Sequence, residues 1–334
     1  MKLLAPANPK ELSDRICWFK KPVARKLRDK KGVEFGFELK EPTESIKSPP
    51  SLYWGYHLPG ELSSLWYYHP EQRNYLLSTL VPVSELKPNY AVLHGIHLYW
   101  HPPARKYRQR YVNHSQSEEY LKVLEANIKL LEQLKKLFPV LLLENYPLYS
   151  YYQKNNQYLP ETYLYTGSGR FLDLLYLKEK TGVGILFDLE HMIVLLNFLN
   201  REKNYRHLPR IHNPHPQTLN LEKIFGFVIA KGIIPYAKTK ISLKDVIEKI
   251  SPKYYHLTGS TRDVIDGKKI LAHAPIKIED KTFRKNLRLI LAQKPEVLVL
   301  EVASSLDGPE WHYLRSNETE LSFYALCEIL LEEL

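Results

Sequence analysis

Short runs of consecutive apolar residues alternate along this chain with longer stretches in which apolar and charged positions recur at helical spacing. The short runs predict strands at 2–6, 33–39, 52–57, 90–98, 140–143, 183–187, 254–257 and 297–302, and the longer stretches predict helices at 11–31, 117–138, 171–180, 243–250, 282–293 and about 318–331. Runs such as Val140-Leu141-Leu142-Leu143 and Val297-Leu298-Val299-Leu300 lack polar alternation, as parallel strands do when helices cover their outer face. Eight strand-helix units are more than an open doubly wound sheet usually holds. The pattern therefore predicts an α/β fold, a closed (β/α)8 TIM barrel.

Long segments rich in Pro, Tyr, Asn and His follow several of these units, at 40–51, 101–116, 145–169 and 200–219. In a parallel barrel the loops after the strands form one rim, so these segments predict enlarged βα loops around a site, the last within an insertion at about 196–225. The whole of 1–334 is read as a single barrel domain, with no internal repeat. Hydrophobic residues make up 44% and charged residues 25%, which excludes a disordered or fibrous chain. Lys and Arg number 47 against 37 Asp and Glu, for a net charge of +10, a field that attracts anionic partners. The densest basic stretches, around Lys20–Lys31 and Arg105–Arg110, are interleaved with apolar or aromatic residues, which favours solvated faces over a nucleic-acid groove. Cys17 and Cys327 have no metal-type spacing and form no disulfide framework. Without a signal-like apolar run at residues 1–8 or an 18-residue apolar span, the expectation is a cytoplasmic protein that does not enter the membrane.

The chemistry stands at the C-terminal ends of the predicted strands. Glu144 closes 140–143, Asp188 closes 183–187 with His191 three residues on, His256 follows Tyr254-Tyr255, Glu301 sits within 297–302, and His57 and His94 end two earlier strands. An Asp before a helix often serves as an N-cap, and a Glu after a strand is often only solvated. Glu301 is different: inside Val-Leu-Val-Leu-Glu-Val its charge would be desolvated at large cost unless a cation or donor met it. Strand ends converge on one rim of a barrel, so these carboxylates and imidazoles point to a shared divalent-metal site.

Several phrases carry a resemblance. Leu142-Leu143-Glu144-Asn145, the run from Gly182 to His191, His256-Leu257-Thr258-Gly259, His273-Ala274-Pro275-Ile276 and Leu300-Glu301 together resemble the xylose-isomerase-like barrel superfamily over about residues 50–305. That superfamily includes endonuclease IV, the ketohexose 3-epimerases and the iron-dependent peptide-modifying enzymes of methanobactin and pearlin biosynthesis. The resemblance implies one metal held by Glu144, Asp188, His256 and Glu301, and a second that shares Glu144 and uses His57 with His94 or its neighbour His97. A third would need His191 and an Asp-x-His pair, but the chain reads Leu271-Ala272-His273 there, with Asp266 the nearest carboxylate. One or two ions, of iron, manganese, zinc or cobalt, is the expectation.

The wording of the phrases is most similar to the iron-dependent family, which implies an oxidoreductase acting on a Cys-containing peptide, with a partner protein or leader peptide. The epimerases offer an alternative, a sugar or sugar-phosphate isomerase with Glu144 and Glu301 as base and acid, and with Arg262, six residues after His256, on the substrate side beside His191 and His273. An endonuclease IV-like hydrolase and a non-catalytic binding barrel are further alternatives, the first disfavoured by the missing Asp. The Tyr-rich segment 146–165 reads as a loop packed on the rim, the His207, His212 and His215 cluster as a Pro-rich surface loop, and Gly167-Ser168-Gly169 as a turn.

Overall fold

Each predicted apolar run pairs in parallel with a neighbour, and the sequence of pairings closes on itself. The computed structural model describes residues 1–40, 51–58, 70–94, 118–145, 149–154, 157–162, 177–199, 242–259, 273–302 and 317–334. In chain order the elements are β1 (Lys2–Ala7), a 3-10 turn (Pro9–Glu11), α1 (Leu12–Phe19), α2 (Pro22–Lys31), β2 (Glu34–Leu39), β3 (Tyr53–His57), α3 (Pro70–Glu85), β4 (Tyr90–His94), α4 (Glu118–Leu137), β5 (Leu141–Glu144), β6 (Tyr149–Lys154) and β7 (Gln157–Thr162). They continue with β8 (Gly184–Asp188), α5 (Leu189–Leu199), α6 (Leu243–Ile250), β9 (Tyr254–Leu257), α7 (Lys281–Leu291), β10 (Val297–Leu300) and α8 (Asn317–Glu333). The barrel order is β1-β10-β9-β8-β5-β4-β3-β2, a (β/α)8 TIM barrel.

All eight barrel strands fall where the apolar runs lie; α3 and α5 form where the sequence reading named no helix, and three further details differ from it. The helix expected at 11–31 is two, because Pro22 has no N–H to continue α1 and instead starts α2 at its first turn. Gly32, at φ 64°, then ends α2 in the left-handed region that residues with a Cβ seldom adopt. The loop expected at 145–169 contains an antiparallel hairpin, β6 paired with β7. Glu301 lies just past β10 and still donates its N–H to Leu257 O at 2.8 Å, so the pairing continues through it. Of the helix expected at 171–180, residues 177–180 are described and helical; most of the insertion expected at 196–225 lies outside the described residues.

Side-chain caps open two further helices. Ser242 and Asp245 form a reciprocal capping box at α6, and Asp280 accepts the Phe283 N–H at 2.9 Å to open α7. No helix among the described residues is long and apolar enough to cross a membrane.

Strand pleating sorts the side chains into two apolar layers. Leu3, Phe37, Leu143, Ile185, Leu298 and their neighbours point outward against helix residues such as Leu27, Leu134, Leu287 and Phe323. Leu4, Tyr90, Val92, Leu142, Leu186, Val297 and Val299 form a separate cluster that fills the barrel interior. Beyond this inner set, on the same inward face, stand Glu38, His57, Glu144, Asp188, His256 and Glu301.

Candidate metal centre

The rim residues share one inward pleat. Glu144 follows Leu142, Asp188 follows Leu186, His256 follows Tyr254 and Glu301 follows Val299, each by two positions, and Asp188 pairs with His256 in the register of β8 and β9. The side chains of Glu38, Glu144, Asp188 and His256 are wholly withdrawn from solvent.

His256 stands at the middle of the cluster. Its Nδ1 faces Glu301 Oε2 at 2.6 Å, Glu144 Oε1 at 3.1 Å and Asp188 Oδ2 at 3.9 Å, while its Nε2 faces Glu38 Oε1 at 2.9 Å. The His57 ring stacks on it, with centroids 5.5 Å apart. His57 Nδ1 donates to Leu58 O at 2.9 Å and so turns Nε2 toward Glu144 Oε2, also at 2.9 Å. His191 Nδ1 likewise donates to Asn145 O at 2.8 Å. A ring nitrogen tied to a main-chain carbonyl must carry the proton, which leaves the lone pair on the other nitrogen; this is how metal-binding histidines are oriented.

Asn145, within the Leu-Glu-Asn phrase, clasps two strand ends together. Its Nδ2 donates to Asp188 O at 2.9 Å and its Oδ1 accepts the Asp188 N–H at 2.7 Å. Asp188 divides its carboxylate: Oδ1 caps α5 by accepting the His191 N–H at 2.7 Å, and Oδ2 is buried with no hydrogen-bond partner among the described residues. The N-cap and the ligand readings of this residue are therefore compatible, one for each oxygen.

The sequence reading missed four contributors. Glu38 accepts from His256 and, through Oε2, from Tyr90 OH at 2.7 Å. Lys40 is paired with Glu301 and lies 3.7 Å from Glu38 Oε1. Glu190 Oε2 accepts the His273 N–H at 2.5 Å and lies 3.3 Å from His273 Nδ1. Glu38 carried a legible signal, since a carboxylate inside Phe35-Gly36-Phe37-Glu38-Leu39 meets the same desolvation argument as Glu301. Lys40, Tyr90 and Glu190 are side chains of ordinary surface or core type whose roles come from the closure of the barrel.

The charges are strongly interdependent. Burial works against the Glu301 charge, but His256 and Lys40 outweigh it and hold the carboxyl well below its usual range. Asp188, desolvated and facing Glu301 and Glu144, is pushed well above its usual value. Burial alone would lower His256, yet Glu301, Glu38 and Glu144 raise it well above an ordinary imidazole. Burial raises Glu190 to about 8 and lowers His273 to about 4.

Three sets of potential ligands result, each with its atoms within 4.8 Å of one another: His57, Glu144, His256 and Glu301; Glu144, Asp188 and His191; and Asp188, His273 and Glu301. The sets overlap through Glu144, Asp188 and Glu301. His273 enters one of them although residue 271 is Leu. Buried mixed oxygen and nitrogen donors, with an orphaned carboxylate oxygen among them, fit a divalent cation. His94 closes β4 opposite Glu144 in the register, while its side chain, together with His97, Arg262 and Asp266, lies outside the described residues.

No protein-family model matches the sequence, and no curated protein matches it. Solved structures similar to it include the TTHB071 protein from Thermus thermophilus, from soaking with ZnCl2, at 16% identity and TM-score 0.48 over 100% of this chain and 99% of that one. A xylose isomerase domain protein from Alicyclobacillus acidocaldarius is 14% identical, with TM-score 0.43, over 100% of this chain and 99% of its own. A xylose isomerase-like TIM barrel protein from Mycobacterium smegmatis, in complex with magnesium, is 11% identical, with TM-score 0.40, over 93% of this chain and 77% of its own.

Proposed function

We propose that this protein is a metal-dependent enzyme of the barrel rim, with a centre for two divalent ions, and that it is an iron-dependent oxidase of Cys-containing peptides. The observation that carries the reading is the overlap of the three ligand sets: three shared carboxylates flanked by His57, His191, His256 and His273 offer more donors than one ion takes up. Glu144, Asp188, His256 and Glu301 would hold the principal ion, with His57, His191 and His273 available to a second. Such a centre, when loaded, supplies Lewis acidity or, with iron, one-electron chemistry toward O2.

The chain's own residues prepare the site before anything binds. Asn145 fixes the end of β8 against the end of β5, so Asp188 and Glu144 keep a constant spacing. Glu190 holds the main chain at His273, whose φ of 53° is left-handed, and so keeps that imidazole facing His191. Lys40 pairs with Glu301 and offsets its charge. A net charge of +10 favours an anionic or acidic-peptide substrate, and a partner protein or leader peptide belongs to this reading.

A second reading, a sugar isomerase, is favoured by one observation: Glu144 and Glu301 approach the same nitrogen of His256, so two carboxylates flank one point and can take and return a proton across it. Anaerobic reconstitution followed by elemental analysis separates the two. Two iron equivalents per chain, with O2 uptake on adding a Cys-containing peptide, is the expected result. One manganese, cobalt or magnesium with sugar turnover supports the isomerase, and no bound metal overturns both.

A further inference from the structure

Glu38 is a buried rim carboxylate that belongs to none of the three ligand sets, and both of its oxygens are engaged. Oε1 lies 2.9 Å from His256 Nε2 and Oε2 accepts from Tyr90 OH at 2.7 Å. Tyr90 reaches it from inside the barrel because Gly55 leaves room: a Cβ at residue 55 would stand 2.0 Å from the Tyr90 ring. Gly36, two residues before Glu38 on the same face, has no space either, since its Cβ would meet Tyr53 O at 2.1 Å. The floor of the barrel is thus shaped to bring a phenol under the carboxylate.

The consequence falls on His256. A carboxylate at Nε2 accepts only from an N–H, so that side keeps its proton, and the proton that Nδ1 shares with Glu301 Oε2 at 2.6 Å is the one a cation displaces to take the Nδ1 lone pair. Nδ1 is the nitrogen that looks into Glu301 Oε2, Glu144 Oε1 and Asp188 Oδ2. We infer that Glu38, itself anchored by Tyr90, is a positioning residue that selects the tautomer and rotation of His256, so that Nδ1 is the nitrogen offered to a divalent cation. This rests on the metal reading above and deepens it. An outer carboxylate of this kind raises the basicity of the imidazole it holds, and losing one typically weakens metal affinity about 10–100-fold.

The test uses the full chain and Co2+ alone, with affinity from calorimetry and ligand geometry from the visible absorption of the bound ion. Glu38→Met removes the acceptor and is expected to weaken Co2+ binding toward the upper end of the roughly 10–100-fold range, with shifted absorption bands. Glu38→Gln keeps an acceptor without the charge and should fall between Met and the wild type. Tyr90→Phe, which leaves Glu38 in place but unanchored, should show the smallest loss in the same direction. If Glu38→Met does not fold, Glu38→Gln and Tyr90→Phe carry the test. Wild-type affinity and spectrum across the folded variants would overturn the inference, even where their metal-free stability drops. Failure of the wild type to bind Co2+ would instead retire the metal reading on which it rests.

Discussion

Two consecutive pleats inside this barrel carry opposite chemistry. The lower, formed by Leu4, Tyr90, Val92, Leu142, Leu186, Val297 and Val299, is apolar and fully packed. The upper, further along the same inward face, holds Glu38, His57, Glu144, Asp188, His256 and Glu301, all buried. The lower layer lowers the free energy of folding through apolar burial, whereas the upper layer removes charges from water and confronts carboxylate with carboxylate. A cluster with several buried acids and its own orphaned oxygen stabilises nothing by itself. Its arrangement makes sense as a site whose energetics close when a cation enters.

The largest effect that tests this contrast is Leu142→Ala, directly below Glu144. It should destabilise the protein by about 2–5 kcal/mol in denaturant unfolding, with metal stoichiometry unchanged in the folded fraction. Loss of metal without loss of stability would mean that the two layers are not separable. Next, a divalent ion at about 100 times its Kd should stabilise the wild type by about 2.7 kcal/mol. Glu301→Gln should largely forfeit that gain, as a melt with and without metal would reveal.

Asp188→Asn has the inverse sign. The amide oxygen can still cap the His191 N–H, while the repulsion toward Glu301 and Glu144 disappears. The metal-free protein should gain about 0.5–2 kcal/mol and lose its metal-dependent stabilisation. A destabilised metal-free variant would contradict the view that this rim is strained by like charge.

The smallest effect is a pH slope. Glu190 is held near 8 in the fold, far above the usual carboxyl of the unfolded chain, so at intermediate pH the folded state binds a proton that the unfolded state releases. That contribution falls as pH rises from the carboxylate range to about 8 and is flat above. His273, lowered to about 4, contributes the opposite slope between about 4 and its usual value near 6.5, so above about 6.5 it no longer opposes Glu190. His256 and Asp188, both raised well above their usual values, slope in the same direction as Glu190 whether or not Glu190 is present. Metal-free wild type should lose stability more steeply than Glu190→Gln between about pH 6.5 and 8. Equal slopes in urea titrations would refute the assignment.

How far the sequence reached follows the same division. The barrel strands were legible because a covered parallel strand must be an apolar run, and the rim acids were legible because they interrupt or end those runs. Pro22 announced a helix start that a continuous amphipathic reading of 11–31 passed over. The hairpin β6–β7 reads as loop because 145–169 is rich in Pro, Tyr and Asn, with Pro160 inside β7 a residue that strands seldom hold. Lys40 and Tyr90 could not be found by position, since their partners Glu301 and Glu38 lie 261 and 52 residues away and meet them only once the barrel closes. His94, Arg262 and His97 were expected at the site and lie partly or wholly outside the described residues.

The central claim is that His256 Nδ1 and the three carboxylates around it surround a cation. Anomalous diffraction from crystals grown with manganese addresses it directly. The account predicts a peak about 2.0–2.5 Å from His256 Nδ1 and from oxygens of Glu144, Asp188 and Glu301. A peak on the Nε2 side of His256, or manganese bound only outside this cluster, would contradict it.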